Sequence, residues 1–289
     1  MATLLPPLEI LGFPVSLPIL ILSLLAVVLI PVILARTLSS RSQSGPSSSF
    51  LIAGPRDSGK TSFCLYLQEK SLVATQTSTV SATVKLPTSV LEQSSSEDGE
   101  TSLPEETGSH SFHVKDTPGH PKLRSQALTS INLSTKSCIG IIYMLDSAVL
   151  SSQPRFTDTV EYLYELLLVI QKQYASLSDS STGPPDPTKL LIACNKNDLF
   201  TALPSAKISS LLQTELGRMK ETKRKGLLNA GAGEDDDEDL DRVLGDDNSN
   251  QVTWDGLREV GIEVSVQSGS IKRRALDGWK GWMSSCLDI

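Results

Sequence analysis

Most of the chain alternates between two patterns of hydrophobic and polar positions. Short runs rich in Val, Ile and Leu are typical of strands in a buried sheet, and longer stretches with apolar residues three and four positions apart are typical of amphipathic helices. In 156–177, for example, Val160, Leu163, Leu167 and Ile170 recur at the helical spacing. The predicted strands are 50–54, 111–116, 138–146, 189–196 and 261–266, and the predicted helices are 59–70, 121–133, 156–177, 206–223 and 276–287. These repeated strand–helix units predict an α/β domain whose mostly parallel sheet is covered by helices on both faces.

A different pattern occupies the N-terminus, where no charged residue occurs over 10–35. A membrane-spanning helix needs about 20 apolar residues, so this run predicts one transmembrane helix. A cleaved signal peptide would have a basic segment before a shorter apolar core, whereas here Glu9 precedes the run and Arg36 and Arg41 follow it. The positive-inside rule then predicts that the C-terminal side is cytosolic and that residues 1–9 are lumenal.

Polar stretches follow the apolar run and interrupt the later pattern. Residues 36–49 are rich in Ser and predict a flexible linker, so the folded domain is expected over 50–289. Within it, three stretches rich in Ser, Gly, Pro or acidic residues lack helical or strand periodicity, which predicts surface insertions. These stretches are 92–109, 176–188 and 226–251.

The negative charge is concentrated in the third of these insertions. The net charge is −7, and nine acidic residues and one Arg from Glu234 to Asp247 carry −8, so subtracting −8 from −7 leaves +1 for the rest. The charge therefore gives no sign of a basic surface, and direct binding to nucleic acid is not expected. The four cysteines are far apart in the sequence, so neither a zinc knuckle nor a paired redox motif is predicted.

The most specific motif is GPRDSGKT at Gly54–Thr61, directly after an apolar run. It fits the phosphate-binding pattern G-x-x-x-x-G-K-[ST] in the strand–loop–helix context that this pattern requires. Backbone N–H groups and the start of the next helix would bind phosphates. Lys60 would bridge β- and γ-phosphate oxygens, and the Thr61 hydroxyl would coordinate Mg²⁺. The predicted nucleotide-binding residues of this loop are Gly54, Pro55, Arg56, Asp57, Ser58, Gly59, Lys60, Thr61 and Ser62.

Asp116 ends a predicted strand and begins the sequence DTPGH. At this distance after a phosphate-binding loop, its carboxylate is predicted to hold Mg²⁺ through water, and the Gly119 N–H is predicted to contact a γ-phosphate. A further hydroxyl between Lys70 and Leu86 should complete the Mg²⁺ coordination. Its candidates are Thr75, Thr77, Ser78 and Thr79, and Thr77 is the predicted metal ligand, with the other three still open.

The sequence NKND at Asn195–Asp198 follows a predicted strand and matches the guanine-reading motif N-K-x-D. The Asp198 carboxylate can accept hydrogen bonds from guanine N1–H and the exocyclic amine. Adenine lacks this donor pair, so the motif predicts guanine rather than adenine. Lys196 would pack its stem along the base, and Asn195 would join neighbouring loops.

A last base contact is expected from Ser265 and Val266, which follow the run IEV. The backbone N–H of Val266 would reach the guanine O6. Gln267 then stands where GTPases usually carry Lys, so this motif is a departure from the usual S-A-K.

In this order the motifs resemble the Ras-like small GTPases over about 50–287 and, within that superfamily, the family of signal recognition particle receptor beta subunits. Four segments carry the likeness. They are D-S-G-K-T at Asp57–Thr61, T-Q-T-S at Thr75–Ser78, D-x-P-G-H at Asp116–His120 followed by Leu123 and Arg124, and L-I-A-C-N-K-x-D at Leu191–Asp198. The resemblance implies a P-loop GTPase domain with a mostly parallel six-stranded sheet flanked by helices, preceded by one N-terminal transmembrane helix.

The resemblance also implies a function, with GTP and Mg²⁺ as cofactors. The chain would lie in the endoplasmic reticulum membrane, contact the bilayer through 10–35 and keep its GTPase domain in the cytosol. With GTP bound, it would anchor the receptor's alpha subunit through that subunit's N-terminal domain, and ribosome–nascent-chain complexes would be indirect partners. His120 stands where many GTPases place a water-orienting Gln, so it is the candidate catalytic residue and at most slow intrinsic hydrolysis is expected.

Two other classes fit some of these motifs. An Arf- or Sar-type trafficking GTPase on an endomembrane would share the nucleotide motifs, but such proteins use a lipid or an amphipathic helix rather than a full membrane span. A translation-factor-like GTPase would share Asp116–His120, but it would carry additional β-domains for which the chain has no room.

Overall fold

The computed structural model describes ten stretches of the chain, and they fall in two units, Met1–Pro46 and Ser47–Ile289. The described residues are 8–10, 13–15, 27, 48–92, 111–133, 137–148, 153–180, 185–229, 243–245 and 251–287.

In the first unit, Leu8–Ile10 and Phe13–Val15 form a short antiparallel strand pair. The helix predicted over 10–35 is therefore wrong at its first residues, where Pro14 has no N–H to donate to a helical hydrogen bond. Of the remaining residues only Val27, which is helical, is described, so the rest of the predicted span lies outside the described residues. In the described part of the chain, no helix combines the length and the apolar character needed to cross a bilayer.

The second unit is built on a six-stranded sheet. The strands are β1 (Ser49–Ala53), β2 (Ala82–Pro87), β3 (Ser111–Asp116), β4 (Cys138–Asp146), β5 (Thr188–Asn195) and β6 (Ile262–Ser268). Their order in the sheet is β2-β3-β1-β4-β5-β6, and neighbouring strands are parallel except for β2, which pairs antiparallel with β3. The prediction of a mostly parallel six-stranded sheet is confirmed. Strand β2 lacks an apolar run in the sequence because it is an edge strand that buries only Leu86.

Helices connect the strands and cover the sheet. They are α1 (Lys60–Glu69), α2 (Ser89–Glu92), a 3₁₀ helix (Pro121–Leu123), α3 (Arg124–Thr129), α4 (Gln153–Ser180), α5 (Ser205–Asn229), α6 (Trp254–Glu259) and α7 (Asp277–Cys286). Alternate residues of the central strands point to opposite faces. On one face Ile141 and Tyr143 belong to a core with α4 and α5, and on the other Ile142 and Met144 belong to a core with α1 and α7. Helices on both faces are thereby confirmed.

Two of the predicted insertions begin later than the sequence indicates. Helix α4 extends through 176–180 and α5 through 226–229, because preceding turns that pack on the sheet can carry a helix into residues of modest helix propensity. Within the third insertion, Val243 and Leu244 are buried, and the Leu244 N–H donates to the Tyr164 hydroxyl at 3.4 Å. The remaining parts, 93–109, 181–184, 230–242 and 246–250, lie outside the described residues.

Candidate nucleotide-binding site

The predicted motifs meet at one edge of the sheet. Parallel strands β1, β3, β5 and β6 all end at this edge, and polar loops follow each of them. In open α/β sheets, ligands bind beyond the carboxyl ends of the strands, where such loops converge.

The phosphate-binding loop after β1 has a backbone that only glycine adopts easily at two positions. Gly54 and Gly59 have φ angles of 143° and 99°. A methyl group at Gly54 would lie 2.1 Å from the Met144 carbonyl oxygen, and one at Gly59 would lie 2.3 Å from Asn195 Nδ2. The N-cap residue of α1 is Gly59, which has no side chain to cap the helix, so the first N–H groups of α1 can face an anion.

Lys60, the first residue of α1, is almost completely buried, with 6% of its surface exposed. Its Nζ donates to the Pro55 carbonyl oxygen at 2.7 Å and to Ser58 Oγ at 3.4 Å. Burial lowers the pKa of Lys60 to about 8, although the charges of Asp116 and Asp57 favour the ammonium form. A buried ammonium group held by neutral oxygens is suited to a phosphate counter-charge.

The lowered pKa of Lys60 predicts a pH dependence of nucleotide binding. Phosphate oxygens beside the ammonium group favour its charged form, so bound nucleotide should raise this pKa above about 8. Above that pH, binding would take up a proton, and affinity should fall by up to about tenfold for each further pH unit. Calorimetry at about pH 9 in two buffers of different ionisation enthalpy should detect this uptake. Equal apparent enthalpies in the two buffers would contradict the assignment.

Asp116, at the end of β3, forms a cluster of oxygen ligands with two hydroxyl groups. Thr61 Oγ1 donates to Asp116 Oδ2 at 2.7 Å. The single Ser78 hydroxyl proton is then directed at Thr61 Oγ1, 2.7 Å away, or at Asp116 Oδ2, 3.4 Å away. Burial raises the pKa of Asp116, opposed by the hydrogen bond from Thr61. Its other oxygen, Oδ1, is buried without a hydrogen-bond partner among the described residues.

These groups fit Mg²⁺, which prefers carboxylate and hydroxyl oxygens and retains waters that could satisfy Asp116 Oδ1. In the described part of the chain, no cluster of three or more His, Cys, Asp or Glu could hold a metal alone. Asp116, Thr61 and Ser78 supply fewer oxygens than octahedral Mg²⁺ requires, so phosphate oxygens would serve as further ligands. The structure brings Ser78 rather than Thr77 into hydrogen bonds with Thr61 and Asp116. Thr77 instead lines the adjoining cavity, and the irregular segment that carries both gave no periodicity from which to choose.

The turn after Asp116 packs directly on the phosphate-binding loop. A methyl group at Gly119 would lie 2.5 Å from Lys60 Nζ and 2.8 Å from both the Arg56 nitrogen and the Gly54 carbonyl oxygen. Thr117 Oγ1 donates to the Ile52 carbonyl oxygen at 2.7 Å and fixes the turn to β1. Gly119 is therefore placed where its backbone can respond to a phosphate group.

His120 and Arg124 follow this turn and have different environments. His120 Nδ1 accepts a hydrogen bond from the Lys122 N–H at 3.2 Å, so the ring caps its own 3₁₀ helix. The Arg124 side chain is only 8% exposed, forms a 2.6 Å ion pair with Asp158 Oδ1 and lies 4.7 Å from the Tyr162 ring centre. Arg124 therefore holds the start of α3 against α4, a role that its sequence position alone did not indicate.

Asn195, at the end of β5, joins two loops as predicted. Its Nδ2 donates to the Ser58 carbonyl oxygen at 2.8 Å, and its Oδ1 accepts from the Ile271 N–H at 3.3 Å. The side chain of Lys196 also reaches the phosphate-binding loop, donating to the Asp57 carbonyl oxygen at 2.8 Å and to Asp146 Oδ2 at 2.6 Å.

Asp198 lies beside the loop that follows β6. Its carboxylate accepts a hydrogen bond from Ser270 Oγ, and this bond is the main cause of the lowered pKa of Asp198, with smaller contributions from Lys272 and Arg273. The carboxylate therefore stays ionised and able to accept hydrogen bonds from a base.

Ser265 and Val266 are not part of this site. Both lie within β6, opposite Leu191 and Ile192 of β5, and Val266 packs against the core. The prediction failed because β6 continues through the polar pair Gln267–Ser268, so its loop starts later than the apolar pattern indicates.

The residues that approach Asp198 and Asn195 are Ser270 and Ile271. They begin the sequence Ser270-Ile271-Lys272, which supplies the serine and the lysine of the S-A-K pattern five residues after the predicted position. This sequence was the signal that could have located the loop, and Gln267 is not a departure from the pattern.

Gly59 lines two cavities. The first, here called the phosphate cavity, has about 450 Å³ and is lined by parts of the phosphate-binding loop, residues 75–78 and Gly119. The second, here called the base cavity, has about 300 Å³ and includes Asn195, Lys196 and Asp198. Of the other predicted residues, Arg56 and Asp57 line the phosphate cavity with exposed side chains, and Ser62 lines the base cavity.

Comparison with known proteins agrees with this geometry. The family model described as "Signal recognition particle receptor beta subunit" matches residues 46–260. The signal recognition particle receptor subunit beta of Saccharomyces cerevisiae is 30% identical over 253 residues, which cover 85% of this chain and 86% of that protein.

Two solved structures from Chaetomium thermophilum are also similar. The signal recognition particle receptor SRb-GTP/SRX complex matches with a TM-score of 0.64 and 28% identity, covering 82% of this chain and 99% of that chain. The SRb-GDP-Mg structure matches with a TM-score of 0.57 and 27% identity, covering 82% of this chain and 98% of that chain.

Proposed function

Because the chain belongs to the family of signal recognition particle receptor beta subunits, we propose that it is the GTP-binding subunit of such a receptor and that bound GTP controls its attachment to the alpha subunit. The observation that carries the proposal is the placement of Lys60 and Asp198 at two cavities that share Gly59. One nucleotide can then reach both side chains.

Each end of the nucleotide has its own set of residues. Lys60 and the N–H groups at the start of α1 hold the phosphates, while Thr61, Asp116 and Ser78 are placed to hold Mg²⁺. When bound, Mg²⁺ would neutralise phosphate charge. Asp198 selects guanine over adenine because adenine offers its carboxylate no pair of N–H donors.

The surface that responds to GTP would be formed by residues 75–78 and Gly119, which line the phosphate cavity. Contacts from these residues to a γ-phosphate would order them in the GTP state, and hydrolysis would release them. The partner of this surface would be the N-terminal domain of the receptor alpha subunit. A similar protein was solved as an SRb-GTP/SRX complex, which supports a GTP-bound partner complex.

The proposed location is the endoplasmic reticulum membrane, with the GTPase domain in the cytosol. The support is the uncharged run in the first unit, of which residues 16–35 remain beyond the strand pair and are about 20 residues, enough for a span. Residues 10–35 would contact the bilayer, and ribosome–nascent-chain complexes would be reached through the alpha subunit.

Hydrolysis in this protein should be slow. The Nδ1 atom of His120 accepts a hydrogen bond from its own turn, so in this orientation Nδ1 cannot also accept a hydrogen bond from a water molecule at the γ-phosphate. His120→Ala should therefore leave single-turnover GTP hydrolysis within about threefold of the wild-type rate. A much larger loss would show that His120 acts in catalysis.

A binding measurement tests the proposed function. The full-length chain in detergent, loaded with a non-hydrolysable GTP analogue or with GDP, would be titrated with the alpha subunit's N-terminal domain. One-to-one binding in the GTP state and at least about tenfold weaker binding with GDP are expected. Equal affinity in both states would contradict GTP control, and no binding in either state would favour an Arf- or Sar-type protein.

Gly119→Ala should weaken the binding of the GTP-loaded chain to the alpha subunit. Its methyl group would collide with Lys60 Nζ and two backbone atoms, and overpacking of this kind costs about 1–3 kcal/mol. The turn should shift, so the GTP-loaded variant should bind the alpha subunit about tenfold or more weakly while GDP affinity changes less. Gly281→Ala, whose methyl group would meet no atom of the described residues within 4 Å, is the matched control. Unchanged alpha-subunit binding by Gly119→Ala would contradict the role given to this turn.

A further inference from the structure

An apolar groove of about 600 Å³, here called the α4–α5 groove, lies between α4 and α5. Its apolar lining consists of Leu128 from α3 and of Tyr164, Leu168 and Val169 from α4. Among the described residues, none that lines this groove also lines the phosphate cavity or the base cavity, so nucleotide binding does not account for it. An open apolar surface of this size is typical of a binding site.

Two exposed lysines accompany the apolar lining. Lys172 belongs to α4 and Lys223 to α5, and both line the α4–α5 groove. Among the described residues of the lining, Glu165 is the one carboxylate, so the ionised side chains of the groove carry two positive charges and one negative charge. Such a groove suits an occupant that combines an apolar side chain with carboxylates, because the apolar atoms leave water while the carboxylates face the lysines.

The chain itself reaches both walls of the groove. Gly226 of α5 lines it, and the helix ends at Asn229. The next described residues, 243–245, are bound to α4. One backbone N–H of this stretch donates to the hydroxyl of Tyr164, itself a lining residue, at 3.4 Å. The Gln171 side chain donates to a carbonyl oxygen of the stretch at 3.2 Å and accepts from another N–H at 2.8 Å. The intervening 13 residues therefore start at one wall of the groove and end at the other.

These intervening residues, 230–242, have the composition that the groove suits. Seven of them are acidic and one is Arg242, which gives the stretch a net charge of −6. Leu240 is its one large apolar residue, since the other uncharged residues are Ala and Gly. A chain of this length can extend to about 45 Å, which exceeds the length of the whole of α5, about 38 Å for its 25 residues. The acidic residues can therefore reach the groove from both points of attachment.

We propose that residues 230–242 bind in the α4–α5 groove of their own chain, with Leu240 on the apolar lining and neighbouring carboxylates beside Lys172 and Lys223. Because both ends of the segment are attached at the groove, the binding is intramolecular and its effective concentration is on the order of 1 mM. An interaction that would be weak between separate molecules is then sufficient. The charge pairs are exposed and screened by salt, so the binding should weaken as ionic strength rises.

A peptide supplied in trans tests the proposal. In the full-length chain in detergent, residues 230–242 would be replaced by 13 Gly and Ser residues, and a cooperative thermal transition would show that this Gly/Ser variant is folded. Fluorescence anisotropy with a labelled peptide of sequence 230–242 should give a Kd of about 0.1 mM for the Gly/Ser variant. The wild-type chain, whose groove is occupied, should bind the peptide about tenfold more weakly. The peptide carrying Leu240→Ser should also bind the Gly/Ser variant about tenfold more weakly, because it lacks the apolar side chain.

Charge reversal supplies the matched control. Introduced together into the Gly/Ser variant, Lys172→Glu and Lys223→Glu should weaken peptide binding about tenfold, whereas Lys207→Glu should change it by less than about twofold. Lys207 is an exposed lysine of α5 that does not line the groove. No peptide binding by the Gly/Ser variant, or equal binding by the charge-reversed variant and its control, would overturn the proposal. If the Gly/Ser variant formed dimers in sedimentation and bound no peptide, a second copy of the chain would be the occupant instead.

Proteolysis tests the chain with its own segment in place, whether or not the Gly/Ser variant folds. A protease that cuts before Asp should cleave within 234–241 only when the segment is unbound, so the initial rate follows the unbound population. In the otherwise wild-type chain at low salt, Lys172→Glu with Lys223→Glu should raise this rate about fivefold, and Lys207→Glu should leave it within about twofold of wild type. Equal rates in the two variants would overturn the proposal.

Discussion

Replacing Lys60 by Ala should abolish retention of nucleotide. The Lys60 ammonium is buried beside the phosphate cavity and has neutral oxygens as its hydrogen-bond partners. Loss of a charged partner from a buried phosphate site costs about 2–5 kcal/mol or more, which corresponds to at least about 30-fold in affinity. Equilibrium titration of the full-length chain with GTP and GDP measures this loss, and both nucleotides should be affected.

The apo protein should not lose stability in the same variant. Burial lowers the pKa of Lys60, which means that the folded apo protein is destabilised by the charged ammonium group. The unfolding temperature of the variant without nucleotide should therefore equal that of wild type or lie slightly above it. Lys207→Ala, an exposed lysine on α5, is the control for loss of positive charge. Retained GTP affinity in Lys60→Ala would contradict the assignment of the phosphate cavity.

Replacing Asp198 by Asn should change which base is bound. The carboxylate accepts hydrogen bonds only, and its lowered pKa keeps it ionised, whereas an amide would direct one N–H₂ group toward the N–H donors of guanine. A site built to pair with such donors loses about 100-fold or more when the pairing fails. GTP affinity should fall by that amount, while xanthosine triphosphate, which carries an oxygen in place of the exocyclic amine, should bind better than GTP.

Competition between GTP, xanthosine triphosphate and ATP measures this preference directly. Asp186→Asn is the control for loss of one negative charge, because Asp186 is an exposed residue that precedes β5. An unchanged order of preference in Asp198→Asn would show that another group reads the base.

The positions of site residues could be predicted from the sequence where a motif stands at the end of a predicted strand. Thr61 and Asp116 are 55 residues apart and yet share a 2.7 Å hydrogen bond, because each follows a parallel strand of the same sheet. The apolar runs identified those strands, and the carboxyl ends of parallel strands must meet at one edge. The prediction that Asn195 joins neighbouring loops is explained in the same way, since its Nδ2 donates to the carbonyl oxygen of Ser58, 137 residues earlier.

The prediction from sequence failed where no hydrophobic periodicity marks the end of a strand or the tertiary contact of a side chain. Strand β6 continues into polar Gln267 and Ser268, so the loop that reaches Asp198 was located five residues too early. Ser78 could not be preferred over Thr77 because both lie in an irregular segment, where a side chain's direction depends on tertiary contacts.

One guanine nucleotide should span Lys60 and Asp198. The decisive experiment is calorimetric titration of the nucleotide-free, full-length chain with GTP and, separately, with ATP in the presence of Mg²⁺. One GTP should bind per chain, and ATP at the same concentration should give no detectable heat. Comparable binding of ATP, or no binding of GTP, would contradict this prediction.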